Sequence, residues 1–296
     1  MIYLCVNPFS GSGQNLQRVE HLAQLLQTRY GLESQIIDHP AKRREILGDS
    51  SLMRSCRCIV VAGGDGSVAS AINDLHPEAA ARVPIAVMSL GNENLLAREL
   101  NLFRISAEDL ASAIAAGRTR PIDIGVANGR RFTLMVSAGM DADVVCRVEA
   151  WRQTPQGLRR ARRLSYAKPI AGAIMGYHYH PLELHADGQC IEGTHALVFN
   201  INRYACGLSF APQALCDDGL LDYLVFRKPG KFNAVRYMML VAMGRHLSKE
   251  DVIHGRARHI RLHSTEPLYV QADGDTIGQT PVKISIDSER IHMIVP

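Results

Sequence analysis

Three glycine-bearing loops are the first places in this chain where chemistry could be held. They are Asn7-Pro8-Phe9-Ser10-Gly11-Ser12-Gly13, Gly63-Gly64-Asp65-Gly66-Ser67 and Ser89-Leu90-Gly91-Asn92-Glu93-Asn94. Glycines let backbone N–H groups approach an anion closely, and a following helix N-terminus adds a favourable dipole. Taken together the loops point to a phosphate-bearing nucleotide; taken singly, each is equally a tight strand-to-helix turn. There is no GxxxxGK[ST], and Gly11-x-Gly13 lacks the third glycine of GxGxxG. That excludes a P-loop enzyme and a standard dinucleotide fold. Carboxylates supply the second ingredient: Asp65 inside its glycine loop, the cluster Asp217-Asp218-Gly219-Leu220-Leu221-Asp222, and Asp273-Gly274-Asp275. A carboxylate among phosphate-binding amides is electrostatically unfavourable unless a divalent cation or a substrate hydroxyl lies beside it. Asp-Gly is also a favoured turn dipeptide, so each of the two later clusters reads as a hairpin turn as well.

The elements that must position these groups change character along the chain. Ile2 to Val6, Ile59 to Ala62 and Pro84 to Met88 are short continuous apolar runs, each followed by a glycine loop and a helical pattern. Such alternation implies a parallel sheet covered on both faces, with ligands at the carboxyl ends of its strands. Ser106-x-x-Asp109 opens a further helix, with Asp where a capping box prefers Glu. After about Pro121 the texture becomes β. Asn128-Gly129 lies between Ile122–Val126 and Phe132–Val136, Asp187-Gly188 repeats that hairpin signal, and several more strands follow, with one helix around Phe232 to Gly244. The expected organisation is an α/β domain over residues 1–121 and a β-rich domain over 122–296. The pattern leaves open whether the last strand, Arg290 to Val295, returns to the first domain.

Composition narrows the class. The chain has 296 residues, 47% of them hydrophobic and 21% charged, which describes a globular protein rather than a disordered chain or a fibre. Seven cysteines without a CxxC pair suggest reduced thiols and a cytoplasmic setting. The start, MIYLCVNPFSGSG, carries no basic region and no apolar run of signal-peptide length, so neither export nor membrane insertion is expected. Charge is concentrated. Between Ala150 and Leu182 there are six bases (Arg152, Arg159, Arg160, Arg162, Arg163 and Lys168) and no acid, against a chain total of +4. The remainder therefore sums to 4 − 6 = −2.

The motifs resemble those of the diacylglycerol kinase catalytic-domain family, and within it the soluble bacterial lipid kinases, with sphingosine and ceramide kinases as more distant relatives. The resemblance is carried by Asn7-Pro8-x-Ser10-Gly11-x-Gly13, Gly63-Gly64-Asp65-Gly66-Ser67, Pro212-x-Ala214-x-x-Asp217-Asp218-Gly219-Leu220-Leu221-Asp222 and Asp273-Gly274-Asp275, with Ile122-Asp123-x-Gly125 and Gly139-x-Asp141-Ala142 between them. It implies an NAD-kinase-like α/β domain followed by a β-sandwich. It implies ATP held by Asn7, Pro8, Phe9, Ser10 and Gly11, by Gly63, Gly64, Asp65, Gly66, Ser67, Val68 and Ala69, and by Asn92. It also implies Mg²⁺ held by Asp218 with the carbonyls of Leu215 and Leu220, and a proton acceptor in Asp273 or Asp275, with Asp65 placing the cation or the acceptor hydroxyl. The reaction so implied moves the γ-phosphoryl group of ATP to a hydroxyl of a diacylglycerol-like or sphingoid lipid.

Two departures bear on the acceptor. The family's usual Pro-Leu-Gly-Thr-Gly-Asn-Asp is here Ser89-Leu90-Gly91-Asn92-Glu93-Asn94-Leu95, which adds a negative charge at Glu93, and Asp275 stands where Glu is usual. The basic stretch beside Trp151, the single tryptophan, suits an anionic membrane surface and a peripheral association; a solvated basic loop or a clamp on ATP is its plainer reading. No nucleic-acid module is recognisable. The GGDG motif is shared with NAD kinases, so a soluble acceptor is one alternative, and a non-catalytic nucleotide- or lipid-binding regulator is another.

Overall fold

Continuous apolar strands build the first sheet. The computed structural model describes residues 1–7, 15–154, 157–158, 172 and 176–296. Ile2–Val6, Cys58–Gly63 and Ile85–Ser89 are buried along their whole length and run parallel, as expected of strands covered on both faces. A fourth parallel strand, Ser34–Ile37, escaped the sequence reading because it has four residues and a polar start. The sheet order is Ser34–Ile37, Ile2–Val6, Cys58–Gly63, Ile85–Ser89, Ile291–Ile294, Thr119–Ile122. The chain leaves Ile2–Val6 toward one edge and then crosses to Cys58–Gly63 on the other side. The order thus reverses between those two strands, and their carboxyl ends define the crevice where open α/β sheets take ligands. Helices Asn15–Tyr30 and Ala107–Ala116 cover one face through Leu22, Leu26, Leu110 and Ile114. Ser106 caps the latter, accepting from the Asp109 amide at 3.0 Å and donating to its carboxylate at 2.7 Å.

The final strand returns. Ile291–Ile294 pairs parallel with Ile85–Ser89 and antiparallel with Thr119–Ile122, so Asp287–Pro296 joins Met1–Ile124 in one unit. The second unit is Gly125–Ile286. It contains two six-stranded antiparallel sheets. One runs Gln189–Gly193, Leu182–Ala186, His259–His263, Val282–Ile286, Gly125–Ala127, Arg130–Phe132. The other runs Val252–Ala257, Leu221–Phe226, His195–Phe199, Met135–Ala138, Tyr269–Ala272, Asp275–Gln279. Phe132, Leu184, Leu262 and Ile284 from the first share one core with Val136, Val198, Val225 and Val270 from the second, which makes the unit a β-sandwich.

Three two-residue turns close its hairpins: Asn128-Gly129, Asp187-Gly188 and Asp273-Gly274, with positive φ at both residues of each. These are the turns whose twist matches the strands they join. The expected strand Phe132–Val136 is split, however. Arg130–Phe132 belongs to one sheet and Met135–Ala138 to the other, so Thr133 and Leu134 form a corner between sheets. Gly125 lies opposite Phe132, whose ring would come within 2.0 Å of a Cβ placed there. The glycine therefore admits an aromatic ring that pins the register of this short pair.

His195, at the start of a central strand, is buried against the rings of Tyr177 and Tyr179, with centroids at 5.8 and 5.5 Å. Its Nδ1 meets Thr194 Oγ1 at 2.8 Å, while its Nε2 is buried without a partner among the described residues. Burial draws its pKa down to about 4. The unfolded chain titrates this group at about 6.5. Between those values the unfolded state holds a proton that the native state refuses, so stability present above pH ~6.5 is lost as pH falls toward 4. That single group is worth about 3 kcal/mol over the window. Urea unfolding of His195→Leu should therefore give a flatter stability profile between pH 6.5 and 4 than the wild type; equal slopes would remove His195 as the cause.

Candidate active site

The second and third glycine loops of the first unit are built as one object. A Cβ on Gly91 would fall 2.6 Å from Gly64 Cα, and one on Gly63 would fall 2.3 Å from Ser67 Oγ. The two backbones touch at a distance that side chains would forbid. Asn94, in the left-handed region and buried, clamps its own loop by accepting from the Gly91 amide at 3.0 Å and donating to the Gly91 carbonyl at 2.7 Å. Asn7 emerges from the neighbouring strand at the point where strand order reverses. Its amide donates to the Ala62 carbonyl at 3.1 Å and its Nδ2 to Ser67 Oγ at 3.5 Å. The helix Asp65–Asp74 begins at Gly64, which offers no side-chain cap, and its first turn holds the exposed Gly66. A Cβ there would meet nothing within 4 Å. Val68 and Ala69 are buried beneath this turn and support it. Asn92 is exposed at the tip of the third loop. The arrangement is a glycine-lined rim with a helix N-terminus, which fits phosphate groups. Pro8, Phe9, Ser10 and Gly11 lie outside the described residues.

Asp65 is tied to the third loop. Its two carboxylate oxygens accept from the backbone amides of Leu95 and Leu96 at 3.0 and 3.1 Å, at the start of helix Leu95–Glu99. The helix that opens the next loop thus supplies this carboxylate with two donors. Burial pushes its carboxyl above the ordinary range, the two amides pull it back, and the half-buried Glu93 adds to the rise. Asp65 fastens the second glycine loop to the third.

Asp273 and Asp275, two residues apart, have opposite surroundings. Asp273 is buried and saturated: Oδ2 accepts from the Thr133 amide at 2.7 Å and the Thr133 hydroxyl at 3.0 Å. Its Oδ1 accepts from the amides of Leu134 and Met135 at 2.8 and 3.0 Å. These are the donors of the sheet-to-sheet corner. Burial pushes its carboxyl up to about 6 against the pull of those donors. Its two oxygens thus accept four hydrogen bonds from that corner. Asp275 is half-exposed at the first position of its strand and pairs with Arg130 at 2.5 Å.

A network the sequence did not single out holds the turn between them. Gln271 Oε1 accepts from the Gly274 amide at 2.9 Å, and Gln271 Nε2 donates to Ser137 Oγ at 2.9 Å and Asp141 Oδ2 at 3.0 Å. Asp141 also accepts from Ser137 and from the Tyr204 hydroxyl. Asp141 was visible as part of a motif, but nothing in its spacing tied it to a turn 130 residues away.

The Asp217–Asp222 loop gathers carboxylates around one guanidinium. Asp218 accepts from the Leu220 amide at 3.0 Å and from Arg256 at 3.3 Å, and Arg256 reaches Asp222 at 3.5 Å. Burial raises the Asp222 carboxyl to about 6, with Arg256 opposing the rise and Asp218 adding to it. Its Oδ2 is buried without a partner among the described residues. Leu215 is exposed in the same loop. Hard oxygen donors and a carboxylate oxygen left over after one guanidinium fit a hard divalent cation. The basic side chains from Arg152 to Lys168 lie outside the described residues.

Parallel-sheet loops shaped for phosphate, followed by an antiparallel sandwich carrying a presented carboxylate, define a two-unit phosphotransferase architecture. Residues 1–127 match the diacylglycerol kinase catalytic domain, and residues 134–295 match the YegS C-terminal NAD kinase beta sandwich-like domain. The chain belongs to the diacylglycerol kinase catalytic-domain family, whose enzymes are phosphotransferases with an alcohol group as acceptor. It is 25% identical over 285 residues to a diacylglycerol kinase of Bacillus subtilis, covering 94% of this chain and 91% of that protein. It is 26% identical over 298 residues to one of Mycobacterium tuberculosis, covering 98% and 93%. A solved diacylglycerol kinase structure from Bacillus anthracis shares the fold, with a TM-score of 0.72 and 21% identity over 100% of this chain and 96% of that one.

Two measurements separate the roles assigned above. Asp273→Asn turns an amide NH₂ toward donors and should cost about 2 kcal/mol, or about 5 °C in Tm. Asp275→Asn should leave Tm nearly unchanged, since an exposed ion pair is worth about 0–1 kcal/mol. A reversed order of melting temperatures would refute the assignment. For Asp65→Asn, loosening the third loop should weaken nucleotide binding about tenfold, the loss of one charge-assisted hydrogen bond. Calorimetric binding that stays at the wild-type level would return Asp65 to a direct role in turnover.

Proposed function

We propose that this chain is an ATP- and Mg²⁺-dependent lipid kinase that phosphorylates a hydroxyl of a diacylglycerol-like or sphingoid lipid. It would be a cytoplasmic enzyme that visits anionic membrane surfaces. The observation that carries the reading is the pair of glycine loops fastened together at the switch point of the sheet, in a chain of this family. In this reading the first unit takes the nucleotide through Asn7, the Gly63–Ala69 turn and Asn92, with residues 8–11 contributing from the preceding loop. The second unit takes the lipid.

Phosphoryl transfer leaves the protein three tasks: positioning, charge neutralisation and proton acceptance. Asp65 and Asn94 hold the loops so that backbone amides meet the phosphates without reorganisation. Asp218, with the carbonyls of Leu215 and Leu220, would hold Mg²⁺, which when bound offsets phosphate charge. Asp275 accepts the proton of the lipid hydroxyl. The freed oxygen attacks the γ-phosphorus, the bond to the bridging oxygen breaks, and ADP leaves. Arg130 fixes the Asp275 carboxylate beforehand. Glu93, beside the proposed triphosphate, supports a role for the third loop in setting which acceptor is tolerated.

The test is transfer of labelled phosphate from ATP to a total lipid extract in mixed micelles, with and without Mg²⁺. A labelled organic-phase product that requires Mg²⁺ is expected. Asp275→Asn should lower its rate by about 10²–10⁴-fold, the contribution of a general base. Label confined to water-soluble product would point instead to a soluble acceptor, and nucleotide binding with no product at all to a binding-only protein.

A further inference from the structure

The helix Lys231–Ala242 turns an apolar face outward. Its inner face is anchored by Ala234, Tyr237, Leu240 and Val241. The Tyr237 ring packs on Phe226 at 4.7 Å, and its hydroxyl reaches Asp251 at 3.0 Å. The opposite face carries Phe232 at 83% exposure, Met239 at 56% and Met243 at 58%, with Val235 and Met238 beside them. At 100° per residue Phe232, Val235, Met239 and Met243 fall on one stripe. Five of the eleven exposed large apolar side chains among the described residues lie on this one segment, so the patch is no scatter of single exposures.

Charge identifies the occupant. From Arg227 to Lys249 the chain carries six bases (Arg227, Lys228, Lys231, Arg236, Arg245 and Lys249) and no acid. Arg236 is engaged by Asp251 at 2.8 and 3.0 Å, and Lys228 approaches the same carboxylate at 3.6 Å. Arg227, Lys231, Arg245 and Lys249 are exposed in the same segment of chain. A surface cavity of about 770 Å³ at the helix's amino end is lined by Arg227, Lys228, Arg236 and Lys249 together with Glu250 and Asp251. A ridge of Phe and flexible Met side chains rimmed by cations matches acyl chains beneath phosphate headgroups. A second copy of the chain is a poorer match, since a two-fold pairing would bring the cationic rim against itself.

We infer that this helix is the element that docks the enzyme on an anionic phospholipid bilayer, Phe232 and Met239 entering the interface and the surrounding bases meeting headgroup phosphates. The inference rests on the lipid-kinase reading and names the surface through which such an enzyme would reach its substrate. The basic stretch beside Trp151 is a separate expectation, and its basic side chains lie outside the described residues.

The test is flotation of the full chain with vesicles of phosphatidylglycerol and phosphatidylcholine, against phosphatidylcholine alone, with a Phe232→Asp/Met239→Asp double variant. Both side chains are exposed, so circular dichroism and Tm should match the wild type and report an intact fold. The wild type should float with the anionic vesicles, and the variant should bind them about tenfold more weakly or worse. Equal flotation of the two proteins overturns the inference. So does a wild-type dimer that the variant dissociates while neither protein binds vesicles, which would assign the face to a second copy. Flotation needs no turnover. A protein that phosphorylates micellar lipid but never floats would overturn the docking surface and leave the kinase reading intact, and a docking protein without lipid product would do the reverse.

Discussion

A single buried carboxylate settles how the second unit can be folded. Where the chain leaves one sheet at Phe132 and enters the other at Met135, the amides of Thr133, Leu134 and Met135 have no strand to pair with. Buried donors left unmet cost about 1–3 kcal/mol each. Asp273 answers all three, and the Thr133 hydroxyl as well, from the turn of a hairpin about 140 residues away. The opposite side of the corner is met by Asn200, which donates to the Thr133 carbonyl at 2.9 Å and, through its amide, to the Leu134 carbonyl at 2.8 Å. The desolvation of the carboxylate is the cost of this arrangement, visible in a pKa pushed up to about 6. A carboxylate tolerates such burial because each of its lone pairs is used.

The first unit applies the same device. Helix Leu95–Glu99 is too short to be sustained by its own hydrogen bonds, and its leading amides are accepted by Asp65 from another loop. In both units the device is an aspartate beside glycine. It collects amides from a segment that must be held at a fixed distance. The glycines beside it are explained by the same closeness, since Gly64 and Gly91 approach to where a Cβ would overlap backbone.

Much of this fold was legible because it is written locally. Continuous apolar runs declared the parallel strands, Asn-Gly and Asp-Gly pairs declared hairpins, and Ser106-x-x-Asp109 declared a helix start; each depends on residues within a few positions. What was not legible depends on partners far along the chain. Ser34–Ile37 is too short to stand out, and the split after Phe132 has no marker because Thr133 and Leu134 have ordinary strand propensity. Asp65 and Asp273 stand out in the sequence as carboxylates beside glycine, but their amide partners lie 30 and 140 residues away. The outward face of Lys231–Ala242 was hidden for a related reason. Its sequence is apolar on both sides, so periodicity could not say which side meets the core.

The position of Asp275 follows from this hierarchy. The turn before it is fixed from three directions: the Asp273 side chain grips the corner, the Asp273 amide donates to the Met135 carbonyl at 3.0 Å, and the Gly274 amide donates to Gln271. Gln271 is itself oriented by Ser137 and Asp141, and the Thr276 amide reaches Glu149 at 3.4 Å. A carboxylate one methylene shorter than glutamate has fewer torsions to settle, and here both neighbours in sequence are tied down. Functional groups perform when a rigid shell supports them. Substitution of Asp273 or Gln271 would therefore loosen the turn that seats Asp275, so a loss of turnover on altering either would not by itself assign that residue a direct chemical role.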